Sequence, residues 1–275
     1  MPSKVGTVGA ARPSSGHDLA AAPLPAIGEV HHRVAPTAVV ELGSVVRMWE
    51  ATGGQVSALR SDALPLSSTS LWSRPAAVDP FDPLDGPLRL HFDVKAALGF
   101  NHAVIARYRI HSERRTRVGD AVGHHQVLRR VGDERMTALG WGRSWDIDHV
   151  FTDADGLLLQ TETFTAVGYR WSNRGSLRVD PTASGGDAAA WTIRSLSRAA
   201  AACRVWSPVH HDLDAARRAG LPGVIACTQH LAAVLEQEAL RAVGAVDAVG
   251  SGGVGGGVQR LDLRIRRPAF ATRCT

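Results

Sequence analysis

The feature that most limits what this chain can fold into is a change of hydrophobic period near residue 100. Upstream, residues 39–51 (VVELGSVVRMWEA) bring Leu42, Val45, Val46 and Trp49 to one side of a helix, and Gly53-Gly54 stops it. Downstream, apolar and polar residues alternate. Residues 103–111, 121–131, 136–147, 148–152 and 157–169 read as strands, with turn chemistry at 118–120 and at Asp153-Ala-Asp-Gly156. Successive strands joined by tight turns pair antiparallel. A helix followed by an antiparallel meander predicts an α+β fold rather than a parallel α/β sheet.

The flanks carry less period. Residues 1–35 are rich in Ala, Pro, Gly and Ser and predict a disordered leader. Residues 60–88, rich in Pro, Ser and Asp, predict an extended loop, and 95–98 a short helix. Residues 172–190 predict a linker, which sets a first unit at 36–171 and a second at 191–275. Within the second unit the sequence predicts a strand at 192–196 and a short helix at 212–219, capped by Asp212 and ended by Gly220. A longer apolar helix at 228–243, a glycine loop at 250–257 and a strand at 259–265 follow. This order loosely repeats the first unit, so the chain reads as two copies of one fold.

Composition removes several classes of function. At 44% apolar and 21% charged the chain can build a core. No apolar run approaches 18 residues and no secretory signal opens the chain, so the expectation is a cytoplasmic protein without a membrane partner. Cys203, Cys227 and Cys274 have no metal spacing. The pairs His31-His32, His124-His125 and His210-His211 put adjacent side chains on opposite faces if extended, and no third ligand has usable spacing. No metal or redox cofactor is therefore expected. The net charge is +5, and all but two of the 31 basic residues are Arg. The densest groups, Arg114-Arg115 with Arg117 and Arg264 with Arg266-Arg267, read as alternating segments with every second residue in solvent, so nucleic acid is discounted. The glycines at 252–257 lack the Lys-Ser/Thr ending of a phosphate loop.

Chemistry concentrates in one segment. His210 lies two residues after Pro208 and just before the cap Asp212, and Cys227-Thr228 opens the long helix. A neutral imidazole held in a rigid turn can take a proton from water. Backbone N–H groups at a helix N-terminus favour developing negative charge. Together these are the parts needed to add water across an activated double bond. Cys227 also invites a nucleophile reading, against which a small buried thiol is the plainer account.

Val205-Trp-Ser-Pro-Val-His210-His-Asp212, then Ala219-Gly-Leu-Pro-Gly-Val-Ile225 and Cys227-Thr228, resemble the signature of MaoC-like (R)-specific enoyl-CoA hydratases and dehydratases. Gly119-Asp120, Gly140-Trp-Gly-Arg-Ser-Trp145 and Glu162-Thr-Phe-Thr-Ala-Val-Gly-Tyr-Arg170 are similar to the N-terminal dehydratase half of its double-hotdog members. The resemblance implies a double hotdog, antiparallel sheets wrapped around a long helix, over residues 36–275. It implies hydration of enoyl-thioesters or dehydration of 3-hydroxyacyl-thioesters, on CoA or acyl carrier protein, in lipid metabolism. It makes His210 the base, and Ser207, Asp212 and the N–H groups at Cys227 and Thr228 the substrate contacts. The chain departs from the family pattern at three places: Val205 stands for an Asp, Ser207 for an Asn, and Cys227-Thr228 for His-Gly. The alternative is a non-catalytic acyl-CoA-binding or partner subunit of the same fold. With one strand after the long helix, the second hotdog reads as incomplete. Leu231, Val234, Leu235, Leu240 and Val243 then call for a homodimer or a second hotdog subunit, while residues 36–171 should fold alone.

Overall fold

The computed structural model describes residues 22–74, 88–137, 140–170, 191–219, 221–247, 258–265 and 271. The chain enters through β1 (Val30–Val39) and α1 (Leu42–Ala51), makes a 3-10 turn at Leu66–Ser73, and forms α2 (Arg89–Ala97). The meander follows as β2 (His102–Ser112), β3 (Ala121–Val131), the short β4 (Arg135–Thr137), β5 (Gly140–Thr152) and β6 (Leu158–Tyr169). Then come α3 (Ile193–Ala202), a 3-10 turn at Pro208–His210, α4 (Leu213–Arg218), α5 (Thr228–Asp247) and β7 (Arg260–Arg264). All pairings are antiparallel, in the order β1-β3-β5-β6-β2-β7, with β4 on β5.

The period-two reading of the meander holds, and so does its sidedness. Tyr108, Ile110, Leu128, Trp145, Ile147, Phe164 and Ala166 share the buried face. The other face is ionic, with Arg129 on Asp148 at 2.6 Å and Arg130 on Asp146 at 3.1 Å. The predicted turn at 153–156 is built by Asp153, whose Oδ1 accepts from the N–H groups of Asp155 and Leu157, and by Gly156 at φ +80°. Gly168 on β6 admits no side chain: a Cβ there would lie 2.6 Å from Phe100 and 2.7 Å from Trp145.

Several expectations are corrected. The leader ends before residue 35, because β1 starts at Val30 and pairs with β3; residues 1–21 lie outside the described residues. The runs 136–147 and 148–152 are mostly one strand, β5, with 135–137 as the arm of a hairpin. The loop at 60–88 contains a 3-10 turn whose eight residues are all buried. Its hydroxyls satisfy its own carbonyls, Ser68 to Pro65 at 2.6 Å and Ser73 to Ser70 at 2.7 Å, so polar residues build an interior turn. The predicted strand at 192–196 is the start of α3. Thr192 and Ser195 form a capping box, and the alanines that follow carry the helix. Arg114, Arg115 and Arg117 follow β2 in a loop, where Arg114 holds Asp120 and Asp153 and Arg115 holds Glu236. The linker 172–190, Gly220, the glycine loop and the side chain of Val243 lie outside the described residues.

The second unit packs its long helix against the sheet of the first. β7 pairs residue by residue with β2, Arg107 opposite Arg264 through His111 opposite Arg260. Ala232 and Leu235 of α5 join the cluster of Trp145 and Ile147, and Leu240 joins that of Val45 and Trp49. The sheet of the first unit thus packs against α5 within the chain, burying Ala232 and leaving Leu231, Val234, Leu235 and Leu240 partly covered. No helix among the described residues is long and apolar enough to cross a membrane.

The interior also carries titratable groups. Burial pushes His91 down to about 3 and His124 and His230 to about 4, and holds His149, whose Nε2 lies 3.0 Å from His124 Nδ1, well below the usual range. Burial raises Glu162 to about 7, although Tyr108 and Gln160 both donate to it. The unfolded chain takes protons on these histidines below about pH 6.5 while the folded protein does not, so acid destabilises the fold. Glu162 works the other way: the folded protein keeps a proton that the unfolded chain releases between about pH 4.5 and 7. Each group contributes about 1.4 kcal/mol per pH unit inside its window. These four histidines, with His125 and His210 lowered in the same way, outweigh one glutamate and predict a urea midpoint that falls steadily from pH 6.5 to pH 4.5. A midpoint constant over that interval would contradict this balance.

Candidate active site

The segment from the end of α3 to the start of α5 folds around fixed carbonyls. Arg204 adopts the left-handed conformation (φ +54°) and turns the chain out of α3. Pro208 starts the 3-10 turn, and the His210, His211 and Asp212 amides return to the carbonyls of Ser207 and Pro208 at 2.9–3.0 Å. Ser197 of α3 donates to the carbonyl of His211 at 3.2 Å, which ties the turn to the helix. The Ile225 amide reaches the Val209 carbonyl at 3.3 Å, so the approach to α5 lies alongside the turn.

His210 is half-buried, with Nδ1 2.9 Å from the carbonyl oxygen of Ile225. A carbonyl only accepts, so in the neutral ring Nδ1 carries the proton and Nε2 is the free base. Burial lowers its pKa to about 4, with Arg74 and His211 adding to the effect. The imidazole is therefore neutral at physiological pH and a weak proton acceptor. His211 is committed elsewhere: Nε2 is 2.6 Å from the Val205 carbonyl, and the ring stacks on Trp206 at 6.3 Å.

The remaining sequence candidates separate. Ser207 begins the turn and contributes its carbonyl to the His210 amide. Asp212 is exposed, and its Oδ1 caps α4 by accepting from Ala215 at 2.5 Å. Val205 is buried with Cys203, Cys227, Trp72 and Ala200, so the position that would carry an acid is part of an apolar cluster. Cys227 is buried and immediately precedes α5. Its sulfur accepts from the Cys203 thiol and from the His230 N–H, which hold it below the usual thiol range, while Cys203 is raised. One first-turn N–H of α5 is thus directed at a sulfur. Those of Thr228 and Gln229 find no acceptor among the described residues. Among those residues no group of three His, Cys, Asp or Glu side chains gathers as a metal site.

Sequence reasoning missed Arg74. It is buried, donates through Nη1 to the carbonyls of Cys203 and Arg204 at 2.9 and 3.0 Å, and leaves Nε without an acceptor. Its charge acts on His210, Cys227, His149 and Glu162 alike. An arginine at the end of a Ser-rich turn gives no sequence sign of burial.

No protein-family model matches the sequence, and no curated protein matches it. Solved structures do. A MaoC-like dehydratase superposes with a TM-score of 0.59 at 18% identity, over 89% of this chain and 83% of that one. A MaoC-like dehydratase from Phytophthora capsici gives 0.54 at 13% identity, over 87% and 82%. A conserved hypothetical protein from Mycobacterium tuberculosis, described as a double hotdog, gives 0.50 at 14% identity, over 90% and 81%. The fold is a double hotdog. In this double hotdog the described part of the second half contributes one long helix, α5, and one strand, β7, to the sheet of the first.

Proposed function

We propose that the chain adds water to enoyl-thioesters, or removes it from 3-hydroxyacyl-thioesters, with His210 as the base. The observation that carries this reading is the pinned ring of His210. Its Nδ1 proton is fixed on Ile225, two residues before Cys227, so Nε2 is held as an acceptor beside the start of α5. In hydration, Nε2 takes a proton from water as the oxygen bonds to the β-carbon, and the imidazolium then returns that proton to the α-carbon as the enolate collapses to the 3-hydroxyacyl-thioester. The α5 N–H groups of Thr228 and Gln229 support the charge that develops on the thioester oxygen. The buried positive charge of Arg74 adds to that support. Ser207 and Asp212 act as positioning residues, through the turn and the α4 cap. The thioester would be on CoA or a carrier protein, and a homodimer or second hotdog subunit belongs to the same proposal.

The second reading, a non-catalytic subunit that binds acyl-CoA, is favoured by Val205. Its burial in an apolar cluster leaves the base without the family's acid partner. Following the loss of the conjugated thioester absorbance with crotonyl-CoA and longer enoyl-CoAs separates the two. Turnover supports the enzyme, and binding without turnover selects the subunit.

Val205→Asp sharpens the comparison. General acid–base partners contribute about 10²–10⁴-fold, so a site that lacks only its acid should gain at least tenfold in kcat. The gain should come with an acidic limb of the pH–rate profile displaced upward from about 4, because a carboxylate near His210 stabilises the imidazolium. Burying the carboxylate costs stability unless it is hydrogen-bonded. A folded Val205→Asp with no gain and no displaced limb would mean that the site differs by more than one residue.

A further inference from the structure

Two thiols take no part in the hydration chemistry. Cys203 ends α3 and Cys227 immediately precedes α5, and both are buried and free. They meet in one cluster with Val205, Trp72 and Ala200, and the Cys203 thiol donates to the Cys227 sulfur. The segment between them carries Val205, Ser207, His210 and Asp212. The two sulfurs are unequal. The Cys203 thiol, the His230 N–H and the charge of Arg74 hold Cys227 below the usual thiol range, whereas donation to Cys227 and burial raise Cys203. The thiolate is the attacking form, and a neighbouring thiol resolves what the attack produces. Burial closes the pair to bulky disulfides. Ala202 and Arg204, on either side of Cys203, line a cavity of about 490 Å³ between α1 and α3, which gives a water-sized oxidant a way in.

We propose that Cys203 and Cys227 form a redox modification site, oxidised by hydroperoxide to a disulfide that closes residues 203–227 into a covalent loop carrying His210. The Cys227 sulfur attacks one peroxide oxygen, the O–O bond breaks, and the hydroxide that leaves takes the thiol proton to become water. The Cys203 sulfur then attacks the sulfur of the sulfenic acid, the S–O bond breaks, and a second water leaves with the Cys203 proton. The two thiols lose two electrons, and the peroxide is reduced to two waters. The bond ties the end of α3 to the start of α5, so both ends of the segment that holds the Pro208–His210 turn are anchored. The site is independent of hydration and stands whether or not the chain turns over a thioester.

Mass spectrometry of the full reduced chain, exposed to a modest excess of hydrogen peroxide and then alkylated, tests the site. The chain should lose the mass of two hydrogens, and the tryptic peptides 199–204 and 219–241 should be joined until dithiothreitol separates them. Closing the loop restricts the unfolded chain, so the oxidised protein should melt at least about 5 °C above the reduced one. Glutathione disulfide should leave both thiols free. Cys203→Ala should stop at a sulfenic acid on Cys227 that dimedone traps, and Cys227→Ala should leave Cys203 unlabelled. If either variant fails to fold, the wild-type peptide map decides alone. No mass loss in the folded chain, a bond to Cys274 instead, a sulfinic acid in place of the disulfide, or a melt no higher after oxidation would each overturn the proposal. Dimedone on Cys203 would overturn the order of attack, and equal reaction with glutathione disulfide would overturn hydroperoxide as the oxidant.

Discussion

Replacing His210 with alanine is expected to lower kcat for enoyl-thioester hydration by at least about 10²-fold. The substitution removes the free Nε2 and one hydrogen bond to the Ile225 carbonyl, so its cost to folding should stay near 1 kcal/mol. KM should change little, because the ring is invoked only where the proton moves. His211→Ala is the matched control on the same turn. Its ring holds the Val205 carbonyl at 2.6 Å and braces Trp206, and neither contact reaches the reacting atoms in the proposed pose. It should therefore lower the melting temperature at least as much as His210→Ala while retaining most of kcat. Steady-state rates and melts on both variants decide the matter, and equal losses of kcat would remove His210 from its role.

The sheet was legible because alternation carries its own sidedness. On β6 the apolar residues Phe164 and Ala166 face inward, and counting back by two puts Glu162 and Gln160 on the same buried face. Their burial was thus readable from parity, although the sequence reading passed over both. The 3-10 turn at Leu66–Ser73 was not legible, because Ser and Thr that satisfy their own carbonyls in the interior have the composition of a surface loop. The start of α3 misled for a related reason: Thr192 and Ile193 have strand propensity, and the capping role of Thr192 depends on Ser195 three residues on.

At the site, the chemistry of the 205–228 segment was visible and its wiring was not. Spacing placed His210 next to a proline turn. Only the fold shows that Ile225 selects its tautomer and that the Cys227 sulfur takes the His230 N–H in the first turn of α5. Arg74 reaches this region from more than a hundred residues away in sequence, and no local pattern announces such a contact.

The largest expected loss of stability belongs to Glu236. This residue of α5 is fully buried and accepts from the Leu66 N–H at 2.7 Å, from the Ser67 N–H at 2.9 Å and from the Ser67 hydroxyl at 2.8 Å. Arg115, 19% exposed, adds an ion pair at 3.1 Å. The carboxylate is what lets a 3-10 turn begin in the interior, since its first N–H groups have no partner within the turn. Glu236→Ala leaves three donors without acceptors and takes the counter-charge from a largely buried guanidinium that keeps only the carbonyls of Leu64 and Val258, a loss of about 3–5 kcal/mol. With a urea dependence of about 2–3 kcal/mol per molar, the midpoint should drop by about 1–2 M. Glu236→Gln should fall between, because one oxygen remains while the amide presents donors to donors. The same contact revises the expectation that residues 36–171 fold alone. Such a fragment lacks Glu236, leaves β2 without β7, and uncovers the inner face that Ala232 and Leu235 bury. It should therefore show no cooperative melt. A cooperative melt of the fragment, or a Glu236→Ala midpoint equal to wild type, would show that the 3-10 turn is held by the first half alone.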